Sequence, residues 1–270
     1  MISNILIYVD DLSHIEDYRK ANVFLFLFGI KKYTIGYNSY SIDEISNLDV
    51  SNKYVILNRV LDCKGIDELK QDLPSILAIP NLKGIVFEDI GVYNILKDMN
   101  LDIELILYQN HFCTNSRSIN FWLDRVDSVF VSNELTKKEY ERIDSHVNKK
   151  VCYHLFGRNQ VMYSRRSLLS NWCDNFKEEK RSTSTIVDRG TKTKFKLFEN
   201  EYGTVFYSGN IFDGKDLLTL KNVKYFYVNP TFIDHEDVMK FLNDYNSDIL
   251  GTDDGFLNKE TIYKLKERAK

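Results

Sequence analysis

Two adjacent arginines, Arg165 and Arg166, stand in the stretch YSRRSLLS, between the pair Tyr163–Ser164 and a short apolar run. A guanidinium presents a planar fork of donors that grips a carboxylate or phosphate through two hydrogen bonds at once. The pair therefore reads as a candidate anion site, with Arg158 as a weaker third member and Ser164 and Asn115 as candidate hydrogen-bonding neighbours. The competing reading is a solvated loop, or a salt bridge to Glu134 or Asp89. Tyr163 offers a ring that could stack on a cyclic ligand or a base, or could simply plug the core beneath the loop.

Two carboxylates, Asp89 and Glu134, close apolar runs and are candidates for acid–base work, metal binding or arginine pairing. Asp89 fits equally well as the N-cap of the segment that follows it, and Glu134 as the partner that orients an arginine. His111, Cys113, Cys152 and His154 supply two Cys and two His, but the short paired spacings of zinc knuckles are missing, so buried thiols and a hydrogen-bonded histidine are expected instead. For proteolysis there is no HExxH, no GxSxG and no local cysteine-protease signature, and no histidine adjoins Ser164, Ser167 or Ser170 in the motif. A Ser–His pair assembled from distant loops stays open.

These residues have to be held by something, and the chain alternates short apolar, β-branched or aromatic runs with stretches of helical spacing, as βα units around a parallel sheet do. Eight runs read as strands, at 4–10, 23–29, 53–60, 82–89, 103–110, 127–134, 150–157 and 223–230. Ser41, Asp89 and Thr136 read as N-caps of the helices between them. Eight such units predict an α/β fold, a TIM-like (β/α) barrel with irregular or incomplete closure, with a doubly wound open sheet as the competitor. Either fold puts chemistry at the carboxyl ends of the strands, which carry Asp10, Asn58, Arg59, Glu88, Asp89, Gln109, Asn110, His111, Asn133, Glu134 and Arg158. Residues 177–210 break the pattern with a polar segment and a β-hairpin around Asn200–Gly203, an insertion before the last strand of a single domain spanning 1–270.

With 36 Lys+Arg against 39 Asp+Glu, no overall positive field advertises a polyanion surface, so any nucleic-acid contact must be local or shared with a partner. The four dispersed cysteines and the lack of a leader-like start predict reduced thiols and a cytoplasmic protein. The most apolar run, VFLFLFGI, is too short for a membrane span and reads as a buried strand.

Four collinear segments, GIVFEDIGVYNIL (84–96), LILYQNHFCTNSRSINFW (105–122), SVFVSNELTKKEY (128–140) and LFGRNQVMYSRRSLLSNW (155–172), resemble the collagenase-like peptidase family U32 over roughly 50–175. GFLNKETIYKLK (255–266) is similar to the ending of short members from low-GC bacteria. The resemblance implies a barrel-like domain and two functional labels. One is a peptidase of unknown catalytic type. The other is a role in RNA or quinone hydroxylation, including hydroxylation of the tRNA wobble uridine with prephenate as a needed metabolite, often with a paralogous partner subunit. Iron–sulfur-binding relatives carry cysteines where this chain has Gln160 and Ser167, and many relatives carry a histidine where it has Phe156.

The sequence thus favours a tRNA-modification role in which an anionic, prephenate-like metabolite or an RNA phosphate binds at the barrel mouth, ahead of a collagenase-like peptidase or a non-catalytic partner of a paralogue. No resident cofactor is expected. Gln and Ser cannot replace the thiolates of an iron–sulfur cluster, so anaerobically purified protein should be colourless and free of acid-labile sulfide; stoichiometric iron with visible absorbance would contradict this.

Overall fold

In a computed structural model the described residues are 4–36, 38–109, 111–190 and 192–259, which leaves Asn110 and the last part of the 255–266 segment outside the description. Each of the eight apolar runs contains one parallel strand: β1 (Ile5–Tyr8), β2 (Leu25–Gly29), β3 (Lys53–Leu57), β4 (Leu82–Phe87), β5 (Glu104–Leu107), β6 (Ser128–Val129), β7 (Val151–Gly157) and, after an excursion, the Val223–Asn229 strand. The excursion contributes β8 (Gln160–Ser164), β9 (Thr183–Val187), β10 (Lys194–Asn200), β11 (Gly203–Ser208) and β12 (Ile211–Asp213), which makes Val223–Asn229 β13; β14 (Thr252–Asp253) follows.

Ten strands form one curled sheet in the order β14-β12-β7-β13-β1-β2-β3-β4-β5-β6. Its β6 end comes round to β7, where Phe130 bridges Cys152 in parallel and the Val131 amide donates to the Cys152 carbonyl at 2.9 Å. The architecture is mixed α/β with a barrel-like wall. A parallel wall of this kind is buried on both faces. Outside, Phe28, Val55, Ile85 and Leu107 pack against the helices. Inside, Leu6, Ile56, Val86 and Ile106 meet a set of tyrosines, Tyr54, Tyr108, Tyr225 and Tyr227. At the bottom, Tyr54 and Tyr225 share a hydroxyl–hydroxyl bond of 2.7 Å, and Tyr225 donates to Glu104 at 2.8 Å, so the phenol groups bring their own partners into the core.

Helices start where the sequence offers caps. The Ser41 and Thr136 side chains accept from the amides of Glu44 and Glu139 in reciprocal capping boxes, and Asp89 accepts from the Gly91 amide. The four-stranded antiparallel sheet, ordered β8-β11-β10-β9, begins at Gln160, ahead of the polar segment. Val205 and Tyr207 of β11 turn into the interior cluster, so this sheet lies across the carboxyl ends of the wall as a roof. Gly157 makes the corner between β7 and β8 at φ +136°, where an added Cβ would strike the backbone of Asn229.

Lys53 opens β3 fully buried, with its ammonium reaching only the Ser46 carbonyl at 3.3 Å, and burial lowers its pKa. A methionine of similar length avoids the desolvation of a charge, so Lys53→Met should raise stability by about 1 kcal/mol, read as a higher urea midpoint with an unchanged m-value.

Candidate functional site

Arg158 leaves the end of β7 and donates from Nε to the Phe232 carbonyl at 3.1 Å and from Nη1 to the carbonyls of Ser208 and Gly209. It straps the roof to the wall. Beyond it the motif climbs β8, and its two arginines emerge in the loop before the helix Leu168–Phe176. The downstream side of that loop is clasped by a carboxylate that the sequence did not single out. Glu199 of β10, almost fully buried, accepts from the amides of Leu169 (2.6 Å) and Ser170 (2.9 Å) and from the hydroxyls of Ser170 and Thr204. Burial alone would raise its pKa; these hydrogen bonds outweigh that and leave it below the usual value. Gly203 permits the close approach, since at φ +140° a Cβ there would collide with the Ser164 carbonyl.

With its flank fixed, the loop presents Arg165 and Arg166 to solvent. Arg165 Nη2 lies 3.4 Å from Asp62, both half exposed, a pairing worth little in water. The Arg166 side chain has no ion pair among the described residues, and its amide donates to Ser164 Oγ at 3.3 Å. Tyr163, half-buried, turns toward the barrel and donates to the Tyr202 carbonyl at 3.1 Å. Burial raises its pKa, the charges of Arg165 and Arg59 oppose the rise, and Glu88 adds to it, which places all four groups in one electrostatic neighbourhood. Arg59 lies 3.8 Å over the Tyr202 ring and donates to the Lys32 carbonyl at 2.8 Å. Tyr163, Arg165 and Arg59 thus meet at the mouth.

The two expected carboxylates have partners of their own. Asp89 has both oxygens on backbone donors, Gly91 at 2.7 Å and Leu61 at 2.9 Å, which is the capping role open to it from the start. Glu134 is half exposed and pairs with His111 at 3.4 Å. Asn115 caps the helix Ser116–Leu123 by accepting from the Ser118 amide at 3.0 Å. Neither Glu134 nor Asn115 shares a hydrogen bond with the arginine loop.

Glu88, which the sequence placed among the strand-end residues without giving it a role, is a further carboxylate here. Along β4 the inner face reads Gly84, Val86 and then Glu88, so Glu88 points into the mouth while Asp89 points to the helix layer. Its carboxylate has no hydrogen bond or ion pair among the described residues, and Gln109 donates only to its backbone carbonyl, at 3.3 Å. Burial, with the neighbouring charge of Asp89, raises its pKa to about 7. The available signal was the period-two alternation, which singles out 88 and not 89.

His154 lies inside the wall, with Nε2 3.1 Å from the Phe156 carbonyl and Nδ1 2.8 Å from Asn159 Oδ1; burial lowers its pKa to about 4. Phe156 faces the other way and stacks on Phe241 of the outer layer at 4.1 Å. Burial pushes the thiols of Cys113 and Cys152 up to about 12. No group of three His, Cys, Asp or Glu able to hold a metal occurs among the described residues. Where iron–sulfur relatives carry thiolates, Gln160 is buried in β8 and Ser167 stands at the start of a helix; amide and hydroxyl donors do not fit such a cluster. No helix among the described residues is long and apolar enough to cross a membrane.

The sequence profile of peptidase family U32 matches residues 42–229, from the helix after β2 through the whole roof to the end of β13. The chain belongs to peptidase family U32. Similar solved structures include the U32 peptidase Mk0906 (TM-score 0.46, 11% identity, 65% of this chain and 75% of that one). They also include the spore cortex-lytic enzyme SleL of Bacillus megaterium QM B1551 (0.40, 8%, 83% and 70%) and a chitinase from Chromobacterium violaceum ATCC 12472 (0.39, 8%, 83% and 93%). No curated protein sequence matches this U32 chain.

Because the folded state holds a proton on Glu88 up to about pH 7 and the unfolded chain releases it near the ordinary 4.5, stability falls as pH rises between those values. Glu88→Gln carries no such penalty. Its stability relative to the parent should therefore rise by up to about 3 kcal/mol between about pH 4.5 and pH 8 in urea unfolding, and a pH-independent difference would show that Glu88 titrates normally.

Proposed function

We propose that this U32 protein binds an anionic metabolite of the prephenate type at the mouth of an irregular TIM-like barrel, with the antiparallel sheet as an insertion before the last barrel strand. In that role it supports hydroxylation of the tRNA wobble uridine in the cytoplasm, alongside a paralogous subunit. The observation that carries the reading is the grouping of Arg59, Arg165 and Tyr163 about Tyr202 and Gly203: Arg59 lies 3.8 Å over the Tyr202 ring, Tyr163 donates to the Tyr202 carbonyl at 3.1 Å, and Gly203 packs against Tyr163 and the Arg165 backbone. Two guanidinium groups and a ring suit a cyclic carboxylate better than a neutral peptide bond. Arg165 is held only by an exposed pair with Asp62, so a ligand carboxylate or an RNA phosphate can take it over at little cost. Arg166 stands beside it, exposed and without an ion pair among the described residues. Ser164 accepts from the Arg166 amide, and the buried His154 is engaged with Asn159 and Phe156, so a serine nucleophile activated by that histidine is not the arrangement this site favours.

The near-balanced charge of the chain predicts weak affinity for tRNA alone, so the decisive experiment is in cells. Deleting the gene should remove one oxygen from wobble-position uridine nucleosides, read by mass spectrometry, with peptide-cleaving activity unchanged. In vitro, Arg165→Ala and Arg166→Ala should each weaken prephenate binding by about 2 kcal/mol, roughly thirty-fold, in calorimetry. Unaltered tRNA together with gelatin cleavage that depends on Ser164 or Glu134 would restore the peptidase reading.

A further inference from the structure

Two side-chain acceptors, one on the wall and one on the roof, have no donor among the described residues. Glu88 is the wall's: it continues the inward series Gly84 and Val86 into the opening, and its carboxylate has no partner among the described residues. Gln160 is the roof's. The register of β8 against β11 shifts between Phe206 and Tyr207, so that Gln160 pairs with Tyr207 and Tyr163 with Val205, and both face the barrel while Val161 and Met162 are exposed. The Gln160 side chain is more than nine-tenths buried, and its Oε1 has no hydrogen-bond partner. A buried acceptor left as Gln160 Oε1 is costs stability, whereas Glu88 is only partly buried. A ligand that brings donors recovers that cost.

The charged and titratable surroundings of Glu88 are specific. Asp89 adjoins it in the chain and is immobilised by two backbone amides. Tyr163 of β8 feels its charge, and those of Arg59, after β3, and Arg165, after β8, act on Tyr163 in the opposite direction. His154 on β7 has its pKa lowered to about 4 by burial.

We infer that Glu88 is the proton-accepting group of the mouth and that the ligand is a hydroxyl-bearing carboxylate: its anionic end is held by Arg59 and Arg165, and its hydroxyl points at Glu88 and Gln160. In the transfer, the O–H bond of the ligand hydroxyl breaks as an O–H bond forms on a Glu88 oxygen, and the negative charge passes from the carboxylate to the ligand oxygen. Burial and the charge of Asp89 suit Glu88 to this exchange near neutral pH, where both of its protonation states are populated. The inference rests on the mouth being the ligand site.

Full-length protein labelled with 13C at the glutamate carboxyls, titrated by NMR, should show one glutamate with a midpoint at about 7, absent in Glu88→Gln and shifted down in Asp89→Asn. In the deletion strain, Glu88→Gln should lower wobble-uridine oxygenation by at least about 100-fold at equal protein level, with Glu88→Asp partly restoring it. A Glu88 midpoint near the ordinary 4.5, or full complementation by Glu88→Gln, overturns the inference. Normal tRNA in the deletion strain overturns the hydroxylation reading instead, and the NMR titration still decides whether Glu88 carries the proton.

Discussion

A parallel wall buried on both faces has no room for solvated polar groups along its strands. Helices cover the outside, and Tyr54, Tyr108, Tyr225 and Tyr227 with aliphatic neighbours fill the inside. Every phenol hydroxyl taken inward needs a hydrogen-bond partner, and the pairing of Tyr54 with Tyr225 and Glu104 shows how the lower layer supplies one. Polar side chains that are not committed to the core can therefore gather only where the strands end. The carboxyl mouth is one such place, and the arginine loop lies there.

The roof lies across that opening and is tied to the wall at several points. Its attachments grade from buried to exposed: Arg158 on three backbone carbonyls, Tyr207 on the Gly36 carbonyl at 2.5 Å, Arg59 on the Tyr202 ring, and Arg165 on Asp62 in open solvent. The first two fix the sheet, since their partners are lost to water once the roof is seated. The last is screened and weak. The Glu199 clasp matters for the same reason. By taking the amides at the start of the helix Leu168–Phe176, it uses up the anion-binding capacity of that helix end and leaves external anions to the arginines.

Glu88 and Asp89 show how far adjacent carboxylates can diverge. Asp89 receives two backbone amides and is consumed by structure. Glu88, one residue earlier and turned to the opposite face, receives none, and burial drives its pKa up. The negative charge of Asp89 is itself one cause of that rise, so the cap of the helix Ile90–Leu96 also tunes the mouth.

The sequence by itself determined the eight parallel strands and the caps at Ser41, Asp89 and Thr136, because strand alternation and cap chemistry are local properties carried by a few consecutive residues. It also marked the arginine loop, because two guanidinium groups side by side are legible without any partner. Only the tertiary structure decided what each of those groups faces. That Asp62 and not Glu134 pairs with Arg165, that Arg158 binds backbone carbonyls, and that Glu199 clasps the motif from some thirty residues away are all contacts between segments remote in the chain. Which of the two adjacent carboxylates turns inward, Glu88 rather than Asp89, was decided for a related reason. A one-residue step in a strand reverses the face a side chain presents, and only the packed wall shows which face is in.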